Sequence, residues 1–237
     1  TSLFTGKTPS SHGIYAWEPT AQNDLIPALN TTYETISVSP HVMGGGWGLV
    51  DPFDRHERTV VPHKTPMLSP DPVLDKIRGD NPSLSKIASL IWRDRSLRTV
   101  PNALFQLYKK NIKYRLGYCD DSGAVNTLNR AKAAVAEAGE PFFLFTNFVE
   151  SHMPIYIPRE WVMKYSGASS KEVNNLVSTD LLEVTYGDQN LDINERDLLF
   201  DLHDASLAYL DMKISDFYDF LQKQGVADNT VFVVLSD

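Results

Sequence analysis

The last forty residues constrain the fold more than any other stretch. Leu199, Leu202, Ser206, Leu210, Ile214, Phe217 and Leu221 recur at helical spacing and form one stripe. Asp201, Asp204, Asp211 and Asp219 fall mainly on the other faces. Gly225 stands where a left-handed residue would close a helix, and Asp228-Asn229 supply a turn. Thr230 to Leu235 is then a run of β-branched and apolar residues, expected to be a buried strand, that ends on Ser236-Asp237. A long helix, a tight turn and an apolar strand make half of an α/β crossover, which calls for a parallel sheet covered by helices. In such sheets ligands gather beyond the carboxyl ends of the strands. Asp237 would stand at that edge.

The rest of the chain supplies further pieces of the same architecture. Thr35-Ile36-Ser37-Val38-Ser39 is a β-type run stopped by Pro40. Gly44-Gly45-Gly46-Trp47-Gly48 reads as a loop, because consecutive glycines lose too much entropy in a helix or strand. Residues 51–80, rich in Pro, Asp, Arg and His, read as a long surface excursion. Asn81-Pro82-Ser83 caps a predicted helix carrying Leu84, Ile87, Leu90 and Ile91. The alanine-rich stretch from Ser122 to Ala138 predicts another, closed by Gly139. Phe142 to Phe148 is a near-continuous apolar run between turn residues, the pattern of a strand buried on both faces.

Length and composition narrow the function. A chain of 237 residues can bury a sizeable core as one large domain or two small ones. The net charge of -8 argues against nucleic acid, which needs a basic face, but leaves room for an anionic substrate in a locally positive pocket. Cys119 is the only cysteine, so there is no intramolecular disulfide and no cysteine metal cluster. No apolar run approaches the ~20 residues of a membrane-spanning helix.

Two residues stand out as chemistry. Asp237, beyond its predicted strand, can bind a divalent metal or orient a nucleophile, or cap a following helix. His152, in Glu150-Ser151-His152-Met153-Pro154 directly after the strand at 142–148, can donate a proton to a leaving group or bind an anionic oxygen. It can equally be a loop histidine in contact with water. His41, His56 and His63 fall in the Gly/Pro-rich region, where surface positions are expected. His203 lies beside the helical stripe and reads as structural, and His12 as a turn residue before Gly13. Trp161 and Tyr165 read as packing, and Asp120-Asp121 as a solvated loop.

Three segments together resemble the sulfatase family. Leu3-Phe4-Thr5-Gly6-Lys7-Thr8-Pro9-Ser10-Ser11-His12-Gly13-Ile14 is similar to the second half of the sulfatase signature, in which Cys/Ser-x-Pro-Ser-Arg leads through a helix to Leu-Thr-Gly-Arg/Lys and His-Gly. Pro141 to Pro154 resembles the family's strand followed by Asp/Glu-x-His-x-Pro. Tyr209-Leu210-Asp211 through Asp237 resembles its late helix, the Asp-Asn-Thr turn and the strand ending Ser-Asp.

The resemblance implies an alkaline-phosphatase-like α/β sandwich, with a mostly parallel sheet flanked by helices and truncated at both ends. Residues 1–237 would form part of a single catalytic domain, with 40–118 an irregular or helical insertion near the pocket. It implies a sulfuric ester hydrolase whose formylglycine hydrate attacks sulfur with the help of a divalent metal, commonly calcium, with magnesium or manganese as alternatives. Asp237 matches the late metal ligand, and His152 the histidine that contacts the sulfate or its leaving oxygen. Lys7 matches the helix end behind the nucleophile, as a minor electrostatic contributor.

The nucleophile and the signature arginine would precede Thr1, so the chain by itself is expected to be an inactive internal piece. Tyr33-Glu34-Thr35 aligns with the family's Gly-Tyr-x-Thr, but Ser39-Pro40-His41-Val42 replaces the Gly-Lys-Trp-His that should follow. The sulfate-binding lysine is therefore missing, and His41, one place early, is its nearest substitute. The expected partner is a small-molecule or glycan sulfate ester. A phosphodiesterase or phosphonate hydrolase of the same superfamily, and a superfamily member without catalysis that serves as a binding domain, are the alternatives.

Overall fold

The computed structural model describes residues 2–12, 24–40, 50–59, 101–102, 121–153, 155–169, 172–173, 176 and 190–236. Among the described residues the centre is a parallel sheet of three strands: β1 (Glu34–Pro40), β2 (Arg55–Thr59) and β3 (Phe142–Thr146). The order is β2-β1-β3, so β1 is central. Ile36 lies opposite Arg55 on one side and Leu144 on the other.

Register distributes the side chains between two layers. Ile36, Val38, Phe142 and Leu144 belong to a core completed by two helices, α4 (Ala124–Glu137) and α6 (Ile193–Gln224), through Leu128, Ala131, Val135, Phe217 and Leu221. On the opposite face, Phe143 and Phe145 meet Phe4 and Ile26 from the short helices α1 (Ser2–Thr5) and α3 (Leu25–Leu29), together with Val50 and Phe53. Phe4 stands edge-on to Phe145 at 5.0 Å, and Phe53 stacks on Phe143 at 6.3 Å. The sheet is thus covered on both faces, as a parallel sheet requires. A short α2 (Pro9–His12) follows α1.

The long helix forms as its stripe predicts, and starts earlier than the stripe does. Asp192 and Glu195 make a reciprocal capping box that satisfies two amide groups at its amino end. Gly225, at φ 75°, closes it in the left-handed region where a Cβ would be strained. Leu202, Ser206, Phe217 and Leu221 are buried, while Leu199, Leu210 and Ile214 are half-buried. Against its first half pack α5 (Arg159–Tyr165) and Ile155 and Ile157, forming a second core with Leu191, Ala205 and Tyr209. Trp161 stacks on Tyr165 and meets Tyr209 edge-on, the packing role expected of that pair.

Three expectations are corrected. Arg55–Thr59 is a strand rather than part of a surface excursion: its charges are met by partners, Arg55 by Glu137 at 3.0 Å and Glu57 at 3.3 Å. Residues of β3 are half-buried rather than buried on both faces, because β3 is an outer strand of the described sheet. Thr230–Leu235 enters no ladder among the described residues, and Val231, Val233, Val234 and Leu235 are exposed. Phe232 leans on α6, against Phe217 and Tyr218. Among the described residues no neighbouring strand takes the amides and carbonyls of 230–235, and an apolar run without one does not become a buried strand.

The glycine run 44–48, the helix predicted from Asn81, Cys119, Asp120, His41, His63 and Asp237 lie outside the described residues. Among the described residues no helix is long and apolar enough to cross a membrane.

Candidate active site

The carboxyl end of β3 leads into a tight turn. His152 N donates to Val149 O at 3.0 Å, which closes Val149-Glu150-Ser151-His152 into a four-residue turn. The His152 side chain is exposed. Its Nδ1 lies 2.5 Å from Met153 O. A carbonyl oxygen only accepts, so Nδ1 carries the proton and Nε2 is left for a ligand.

Beneath this turn lies a buried acid pair that sequence reasoning did not single out. Glu150 is fully buried, and Asp121 and Tyr209 nearly so. Glu150 Oε1 accepts from Ala124 N at 2.6 Å, and Oε2 from Val149 N at 3.1 Å. Asp121 accepts from Gly123 N at 3.2 Å, from Val125 N at 2.8 Å and from the Tyr209 hydroxyl at 2.8 Å. The two carboxylates therefore take up the amide groups that the first turn of α4 leaves without helical partners, and they sit where the helix dipole favours negative charge. Gly123, at φ 126°, turns the chain into that helix through a conformation that a side chain would resist.

Burial, then the nearby Asp121 charge, push the Glu150 carboxyl up to about 7. Three backbone hydrogen bonds pull the other way and are outweighed. The Tyr209 hydroxyl is held as a neutral donor, its proton kept by burial and by the bond to Asp121. Asp121 is thus a buried helix-capping anchor rather than a residue of a solvated loop. The cue was present in the sequence: an acid directly after an apolar strand, and another just before an alanine-rich helix.

The remaining expected residues are dispersed. Lys7 is exposed and pairs with Asp24 at 3.1 Å, following the short α1 and the left-handed Gly6. His203 is exposed on α6 beside Asp204 rather than packed structurally. His12 ends α2. His56, expected at the surface, lies in β2 opposite Ser37, with both ring nitrogens buried. Among the described residues, the hydroxyls of Ser37 and Ser39 and both nitrogens of His56 have no hydrogen-bond partner.

Among the described residues no three His, Cys, Asp or Glu side chains come together to hold a metal ion. Asp121 and Glu150 do not fit one: backbone amides and the Tyr209 hydroxyl already bind all four carboxylate oxygens.

Comparison with known proteins adds one match. The sulfatase family model matches residues 84–237, more than half of the chain and the part that carries β3, the His152 turn, the acid pair and α6. No curated protein and no solved structure matches the chain.

Proposed function

The chain belongs to the sulfatase family, and from that footing we propose that it is the scaffold and part of the active site of a sulfuric ester hydrolase. The observation that carries this reading is the exposed His152, at the carboxyl end of a parallel strand, with Nδ1 tied to its own backbone. Breaking an ester S–O bond leaves an anionic oxygen on the departing alcohol. With Nδ1–H held by Met153 O, the imidazolium form presents its Nε2–H to this oxygen, protonates it or donates a hydrogen bond to it, and lowers the cost of its charge.

The attacking hydroxyl is assigned to a formylglycine hydrate in the signature segment that leads into Leu3–Ile14 in the family. A divalent metal, with calcium favoured, is assigned to Asp237 and to ligands outside the described residues. Lys7 and His41 are secondary assignments, for local electrostatics and substrate contact. The substrate class is a small-molecule or glycan sulfate ester.

The reading is tested by turnover of 4-nitrophenyl sulfate and 4-nitrophenyl phosphate by the full-length protein. A higher kcat/KM on the sulfate is expected. A phosphate-ester rate far above the sulfate-ester rate would identify a phosphohydrolase instead. Calcium titration separates both from a domain without catalysis, which would take up no metal and turn over neither ester.

A further inference from the structure

We propose that Glu150 is a positioning residue for His152: its buried carboxylate ties the turn that carries the histidine to the amino end of α4. This rests on His152 being the group that meets the substrate.

The argument is one of connectivity. An exposed turn at the end of an outer strand has few contacts of its own to fix it. Here the second residue of the turn sends its side chain inward rather than outward. One Glu150 oxygen binds Ala124 N of α4, and the other binds Val149 N, the first residue of the same turn. The turn is then closed from Val149 O to His152 N, and the imidazole is oriented by Met153 O. Glu150 thus joins the helix end to the turn's first residue, and that residue to the histidine's backbone.

Asp121 fixes the helix end from the other side and is itself held by the Tyr209 hydroxyl of α6. Three elements meet at the acid pair, and in the turn above it His152 is exposed while Glu150 is buried. A buried glutamate that served the helix alone would have no reason to bind Val149 N. A residue that only capped the strand would not reach Ala124.

Three measurements on the full-length protein test this. The first needs no variant. Amide hydrogen exchange of Val149 and His152 should be slowed together with that of Ala124, and exchange of Val149 about 100-fold faster than Ala124 would overturn the proposal. The second reads the imidazole by long-range ¹H–¹⁵N correlation, with His152→Asn identifying the signal. The neutral ring should carry its proton on Nδ1, and Glu150→Gln should shift it toward the Nε2-protonated form. A folded Glu150→Gln protein that keeps the Nδ1 tautomer would also overturn it.

The third is turnover. Glu150→Gln should lower kcat about 10- to 100-fold with KM changed less than threefold, as expected of a displaced catalytic group, and Glu150→Asp should recover part of the loss. Unchanged kcat would contradict the proposal. If the parent protein cleaves no sulfate ester, the sulfatase reading fails, while exchange and tautomer still decide whether Glu150 holds the turn.

Discussion

Replacing Glu150 with glutamine should change how stability depends on pH, with a size that follows from its burial. In the folded protein the carboxyl binds its proton more tightly than in the unfolded chain, about 7 against the ordinary 4.5. The folded state therefore holds more protons between these two values, and stability falls as pH rises through the window. The contribution is fully present below 4.5 and lost above about 7. At roughly 1.4 kcal/mol for each tenfold change in proton affinity, the whole window is worth about 3 kcal/mol. Between pH 5 and 8, roughly 2 to 3 kcal/mol of it would be lost.

Glutamine has no proton to exchange, so its stability lacks this dependence. Urea unfolding of both proteins at several pH values gives the difference between them, in which the other titrating groups cancel. That difference should move in favour of Glu150→Gln by about 2 to 3 kcal/mol from pH 5 to pH 8. Asp121 and the neutral Tyr209 hydroxyl are the facing groups, and Asp121 supplies part of the effect. Parallel pH curves for the two proteins would refute the argument that the buried carboxyl takes up its proton near neutrality.

Removing the hydroxyl that donates to Asp121, Tyr209→Phe, should cost about 1.5–3 kcal/mol in urea unfolding, as for a hydrogen bond to a charged group. His56→Phe and Ser37→Ala should be neutral or stabilising by roughly 1 kcal/mol, because they remove buried polar atoms that have no hydrogen-bond partner among the described residues; a clear loss of stability would show that these atoms have a partner. Lys7→Met should cost no more than about 1 kcal/mol, since the ion pair with Asp24 is half-exposed, and the cost should shrink further in high salt.

The sequence disclosed the elements whose pattern is set by their own residues. The alanine-rich stretch forms α4, the β-branched run forms β1, and Gly225 closes α6. It did not disclose features set by distant partners. Arg-His-Glu-Arg-Thr has no apolar alternation, and it becomes β2 because β1 supplies the ladder and Glu34, Glu137 and Arg130 answer its charges. Thr230–Leu235 has strand composition but no neighbouring strand among the described residues.

The site divides in the same way. The position of His152 was legible, in a turn that follows an apolar strand. For Glu150 and Asp121 only the placement, after an apolar strand and before an alanine-rich helix, was legible; their burial was not, since it depends on the helix end folded over them. The Tyr209 bond to Asp121 spans 88 positions of sequence, beyond any local pattern.

The most direct test of the account is sulfate-ester turnover by His152→Ala in the full-length protein, with the fold checked by its unfolding transition. The side chain is exposed, so stability should be unchanged while kcat falls by about 10²- to 10⁴-fold, the range for loss of a general acid. A folded His152→Ala protein that hydrolyses the sulfate ester within twofold of the parent rate would contradict it.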